Sequence, residues 1–247
     1  AVFGADVRLP SMLFAVVERS PVLGATWKDF DEEAPLTVNG VSQIVTIAPF
    51  KAPHAFQALG GIAVLADHTY AAIKGREKLK TQWGTSEHDT YDSDAYRDEL
   101  MATVEKEGVV VRQKGDYKEA VKGLKIHSAS YYAPHLLHQP MEPPVATADF
   151  KDGRCIVWAP TQNPQAAQDV VAAALKIPAS QGTVHVTLLG GGFGRKSKPD
   201  YVAEAALLSQ KVGRPVQVVW TREDDIQHDY FHSVAALKLE AGLDKNG

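Results

Sequence analysis

The stretch VTLLGGGFGRKSKPDYVAEAALL, residues 186–208, constrains the fold more than any other part of the chain. It reads as a strand, an abrupt glycine-rich turn and a helix. Gly190, Gly191, Gly192 and Gly194 surround Phe193. One turn rarely needs so many residues without side chains, because each glycine loses more backbone freedom on folding than any other residue. A strand-to-helix junction also leaves backbone amides unpaired at the positive end of a helix dipole, an arrangement suited to oxygen-rich anionic ligands. Two familiar uses fail on spacing. A phosphate-binding P-loop needs Gly-Lys-Ser/Thr contiguous, and Arg195 separates Gly194 from Lys196-Ser197. The dinucleotide fingerprint needs a third glycine where helix and strand pack closely; counting from Gly190 and Gly192, that place holds Arg195. On local grammar, a plain structural turn and an anion- or nucleotide-binding loop over Gly190–Ser197 both stay open.

The surroundings supply a rhythm. CIVWAPTQ (155–162) predicts a strand leading to Asn163-Pro164, where Asn can cap a helix and Pro suits its first position. Ala167, Val170, Val171, Ala174 and Leu175 then share one helical face, and Pro178 follows its end. Residues 183–189 predict the next strand. Ser197 and Asp200 are spaced as a capping box for the helix after the loop, Gly213 and Pro215 stop it, and PVQVVWT (215–221) predicts a third strand. Strand–helix–strand–helix–strand is the pattern of an α/β or α+β layer.

Upstream, LFAVVERSP (13–21), VSQIVTIAP (41–49) and GGIAVLADH (60–68) predict strands, and a helix is expected around Thr69–Leu79. TSEHDTYDSD changes the composition to polar and turn-rich, and Ser93 is placed to cap a helix carrying Leu100, Met101 and Val104, stopped by Gly108. The expected division is therefore a unit at 1–85, a surface connector at 86–122 and a second unit at 123–247. HSVAALKLEAGL (232–243) predicts a long strand, followed by the hairpin-turn residues Asp244-Lys245-Asn246-Gly247. That unanswered turn, and a start without methionine, basic leader or cleavage site, lead us to expect a piece of a longer protein.

Totals narrow the class. Hydrophobic residues make up 45% and charged residues 23% of 247, ordinary for a globular chain. A net charge of −4 argues against general nucleic-acid binding. The single cysteine, Cys155, excludes intrachain disulfides and any Cys-pair iron–sulfur site; inside an apolar strand it reads as a core residue. His135 and His138 lack a third metal ligand in register. His228 and His232 form HxxxH without the glutamate of the zinc-protease motif, so REDDIQHD reads as a solvated acidic segment. Glu142, within Met141-Glu142-Pro143 and downstream of two histidines, is a weaker catalytic candidate.

Taken in order, ERSP, MEPP, WAPTQNP, GGGFGRK and GRPVQVVWTRED resemble the large subunit of molybdenum hydroxylases, the xanthine dehydrogenase and aldehyde oxidase family. The branch most similar is that of isoquinoline 1-oxidoreductase beta subunits and related aldehyde dehydrogenases. The resemblance spans essentially the whole chain. It implies an α+β fold: an α/β hammerhead domain, then the first half of a molybdenum-cofactor-binding domain. It further implies that Gln162, Gly191, Gly192, Phe193, Gly194 and Arg195 contact the cofactor, molybdenum bound to molybdopterin cytosine dinucleotide. No catalytic residue or direct metal ligand is implied within these residues, because the family's general-base glutamate lies far downstream. Implied partners are a small [2Fe–2S] subunit and a cytochrome c acceptor, and the implied reaction is hydroxylation of an N-heteroaromatic or oxidation of an aldehyde. Relatives of this kind are often periplasmic, and nothing in these residues decides between periplasm and cytoplasm. Two departures stand out. Arg195-Lys196-Ser197-Lys198 occupies the place of the glutamate that recognises purines in xanthine-type enzymes, so the resemblance does not point to purine as the substrate, and Phe231-His232-Ser233 stands where close relatives carry Tyr-Arg-Pro.

Overall fold

The computed structural model describes residues 2–247, which form two compact units. The first comprises everything up to Asp89 together with His138–Tyr230; the second is Thr90–Leu137 with Phe231–Gly247.

In chain order, the first unit contains β1 (Leu13–Glu18), β2 (Trp27–Asp29), β3 (Val41–Ile47), β4 (Gly61–Ala66), α1 (Thr69–Arg76) and β5 (Gln82–Trp83). The second unit follows with α2 (Ser93–Thr103), α3 (Tyr117–Ala120) and β6 (Lys125–Ala133). The chain then returns to the first unit for β7 (Val145–Lys151), β8 (Arg154–Ala159), α4 (Pro164–Leu175), β9 (Gly182–Val186), α5 (Asp200–Val212), β10 (Val216–Val219) and α6 (Arg222–Gln227), before β11 (Ala235–Leu243) completes the second.

One seven-stranded mixed sheet organises the first unit, in the order β3-β4-β1-β10-β7-β8-β9. β1 runs parallel to β10, with Leu13 opposite Val216, and β8 runs parallel to β9. The other pairings are antiparallel. Alternation along the strands divides the core: Leu13, Ala15, Val17, Ala63 and Leu65 join α4 and α5 on one face, while Val16 and Ala66 meet Ala71 and Ala72 of α1 on the other. Every residue of β4 is buried, so its sequence is a continuous apolar run rather than an alternating one.

This sheet corrects the expected division at residues 85 and 122. β1 hydrogen-bonds to β10, so the N-terminal strands share one sheet and one core with strands beyond residue 140. Local composition reports only a change of character at the polar stretch, whereas strand pairing across the sequence decides the units. In the second unit β6 and β11 pair antiparallel over their full length, Lys125 with Leu243 and Ala133 with Ala235. Among the described residues of that unit, none is buried.

The mixture of helices and strands agrees with the α+β expectation. α4 is capped as expected: the Asn163 side chain accepts from the Ala166 N–H at 3.1 Å, and Pro164 begins the helix. The expected Ser197–Asp200 capping box does not form. Ser197 lies in a 3-10 turn, Arg195–Ser197, donating to the Gly194 carbonyl at 2.6 Å, while Asp200 turns inward to an arginine.

Candidate functional site

The glycine loop leaves the sheet beyond β9 and enters α5 through the 3-10 turn. Its four glycines answer two constraints, backbone angle and crowding. Gly191 and Gly194 adopt φ of +91° and +105°, where a Cβ is strained. A Cβ at Gly190 would run into the Glu142 side chain, and one at Gly192 would sit 2.5 Å from Gln162 Oε1. Phe193 also takes a positive φ, +52°, and the residue is 69% exposed.

Gln162 follows β8, and its side chain lies against the loop. Its Oε1 accepts from the Gly194 N–H at 2.9 Å, and its own N–H donates to the Lys196 carbonyl at 3.0 Å. Thr161 Oγ1 donates to the same carbonyl at 3.1 Å. The loop also closes on itself, with the Arg195 N–H donating to the Gly192 carbonyl at 2.8 Å. Among the described residues, the N–H groups of Gly191, Gly192 and Phe193 and the side-chain amide nitrogen of Gln162 have no protein acceptor. Three consecutive unpaired amides beside a fourth donor make a surface that an anion can satisfy.

Arg195 is placed differently from the other five. Its side chain is fully buried: it donates to both Asp200 oxygens at 2.9 Å, lies 3.4 Å from Asp229 Oδ1, and stacks over Trp220 and Tyr230. The guanidinium therefore faces the interior and anchors the loop from behind. Lys196 is likewise buried and bonded to Glu142 at 2.9 Å. Burial pushes its ammonium below the usual lysine range, and Glu142 pulls it back up. Neither cation reaches outward to a phosphate, which counts against the nucleotide-binding alternative.

The remaining motifs converge on the same interior. Arg19 of ERSP donates to both oxygens of Glu204 at 2.7 and 2.6 Å, and Trp220 Nε1 donates to Glu204 Oε2 at 2.9 Å. Asp224 pairs with Arg76 at 2.7 Å and lies 3.6 Å from Arg19, and Asp225 pairs with Arg222. Asp224, Asp225 and Asp229 are all buried. REDDIQHD is thus not a solvated segment: four arginines draw it in, none of them close enough in sequence to signal this except Arg222. Burial opposes ionisation of Asp224, yet Arg19 and Arg76 hold it below the usual carboxylate range.

His135 bonds Tyr91 at 2.8 Å in the second unit, whereas His138 Nδ1 lies 3.1 Å from Asp229 in the first. His228 packs edge-on against Trp220. Cys155 is fully buried, and burial pushes its thiol up to about 12, as befits a core residue. Sequence reasoning missed the Glu142–Lys196 and Arg195–Asp200 pairs; the only available signal was charge inside two otherwise apolar or glycine-rich motifs.

Residues 102–247, more than half of the chain, match the molybdopterin cofactor-binding domain family. The chain is 30% identical to isoquinoline 1-oxidoreductase subunit beta of Brevundimonas diminuta, over 98% of this chain and 31% of that protein. It is 28% identical to a membrane-bound aldehyde dehydrogenase of Gluconacetobacter polyoxogenes, whose name carries pyrroloquinoline quinone, over 99% of this chain and 32% of that protein. Among solved structures, the aldehyde oxidoreductase of Desulfovibrio gigas shares the fold with a TM-score of 0.74 at 20% identity, over 99% of this chain and 31% of that one. The chain spans about a third of the length of the curated relatives it matches. Among the described residues, no helix is long and apolar enough to cross a membrane.

Proposed function

The chain belongs to the molybdopterin cofactor-binding domain family, and from that premise we propose that it forms one wall of the cofactor site in a longer molybdenum-dependent oxidoreductase. The observation that carries this reading is the row of unpaired amides at Gly191, Gly192 and Phe193 beside the Gln162 side chain. These residues suit the group. Adjacent N–H donors match negatively charged oxygen or sulfur ligands, and the absence of a side chain at Gly192 keeps the approach open beside Gln162.

When bound, the cofactor supplies the two-electron redox chemistry, and the protein supplies position, polarity and exclusion of water. Gly191, Gly192 and Phe193 would donate through the backbone and Gln162 through its amide nitrogen, with the Phe193 side chain exposed beside them. Arg195 acts from behind, as the anchor of the turn. The substrate class is an N-heteroaromatic or an aldehyde, in line with the names of the relatives. Purine is disfavoured because Lys196 is buried and Arg195 inward-facing where a purine-recognising glutamate would stand. The cytosine dinucleotide form of the cofactor, a [2Fe–2S] partner subunit and a cytochrome c acceptor complete the proposal. The general base is assigned to a part of the large subunit outside these residues.

One loop alone offers few contacts. Hydrogen bonds to a charged acceptor contribute about 1.5–3 kcal/mol each, against an association cost of roughly 4–15 kcal/mol. With only this one wall of the site and no general base, the 247-residue chain by itself is expected to retain no molybdenum and to turn nothing over. The test is elemental analysis of the holoenzyme and of this chain, beside assays with N-heteroaromatics and aldehydes. Stoichiometric molybdenum in the holoenzyme supports the reading. A holoenzyme free of molybdenum, or one whose activity depends on a quinone instead, would sink it.

A further inference from the structure

Glu142 contacts the loop at both ends. Its Oε2 accepts from the Gly190 N–H at 3.2 Å and from Lys196 Nζ at 2.9 Å. One carboxylate oxygen thus holds the first and last residues of the segment 190–196. The Glu142 N–H returns a bond to the Gly190 carbonyl at 2.9 Å, and Oε1 accepts from the Ala5 N–H at 3.3 Å. Behind it, Arg222 donates to the carbonyls of Pro140 and Met141 at 2.7 and 3.0 Å, fixing the segment that carries Glu142. The Lys196 side chain is fully buried and that of Glu142 is 11% exposed. Lys196 also closes the other flank, because its carbonyl receives the Gln162 N–H and the Thr161 hydroxyl.

A buried ion pair is weak evidence for stability, since well-packed apolar residues often serve as well. Its geometric consequence here is specific. Between the two points joined at Glu142 Oε2 lie the three amides without protein acceptors, and Lys196 supports Gln162 directly. We propose that Glu142 and Lys196 are positioning residues: their ion pair staples the ends of the glycine loop so that the amides of Gly191, Gly192 and Phe193 converge with Gln162 on one anionic ligand. The assignment rests on the cofactor reading above. Both residues act through the loop.

The test compares Glu142→Gln and Lys196→Met with Glu204→Gln in the holoenzyme. Glu204 forms an equally buried pair, with Arg19 at 2.6 Å, that none of the loop residues 190–194 joins by a hydrogen bond. Molybdenum per folded chain, thermal midpoint and amide exchange at Gly194 and Arg195 are read for each. Supporting residues of metal sites cost roughly 10–100-fold in affinity when changed. Glu142→Gln and Lys196→Met are expected to lose molybdenum by that factor and to exchange Gly194 and Arg195 faster. Glu204→Gln is expected to lower the midpoint while leaving both loop readouts unchanged. Wild-type occupancy and exchange in Glu142→Gln would overturn the staple, as would an equal loss in Glu204→Gln. A wild-type holoenzyme without molybdenum overturns the cofactor reading instead, and the exchange data then decide the staple on their own.

Discussion

Burial drives the His228 imidazole down to about 3, with the neighbouring Arg19 charge acting in the same direction. The folded protein therefore keeps this ring neutral while the unfolded chain takes up a proton near pH 6.5. Since the unfolded state binds more protons between those values, stability falls as pH drops from about 6.5 toward 3. The expected loss from this residue is up to about 2 kcal/mol between pH 7 and pH 5. A His228→Gln variant should lose less of its thermal midpoint over that interval than the wild type; parallel pH curves would refute the assignment. At this scale the sequence revealed that the loop needs glycine but not why. Gly190 and Gly192 are required by Glu142 and Gln162, neighbours distant in sequence. Arg195 reads locally as a loop cation, and only folding brings Asp229 and Trp220 to it. The acidic run beside it reads as solvated for the same reason: its arginine partners are mostly remote.

Elements with local grammar were legible. Asn163-Pro164 announces α4, Gly213 ends α5 with φ of +66°, and the apolar runs at β1, β3 and β4 lie where periodicity puts them. β7 escaped because Val145–Lys151 carries alanine, threonine and aspartate in place of a strong strand signature. Its central place between β10 and β8 supplies the missing drive, as expected when β propensity depends mainly on context. The cap of α4 is open to direct measurement. Asn163→Ala should cost about 0.5–2 kcal/mol, and Asn163→Asp should cost far less. Equal losses in chemical denaturation would show that the cap bond at Ala166 contributes nothing.

At the scale of the whole molecule, the division into units was the least legible feature, because sheet order is not a local property. The polar break was visible; the return of the chain to the first sheet was not. Between α2 and α3 the backbone has no regular structure, and Val109 and Val111 are 93% and 94% exposed. Limited proteolysis should cut first within residues 104–116, and initial cleavage inside α5 would contradict this picture. The sheet order also bears on synthesis. β1 is made early, yet its partner β10 emerges about two hundred residues later, which at 5–20 residues per second is a wait of roughly 10–40 s. Until then β1, β4 and β3 form at most a three-stranded sheet with one apolar edge open, the kind of surface on which chains join one another. Ribosomes translating this message in close file would hold many such edges side by side, so the pace of translation between α1 and β10 becomes a determinant of yield.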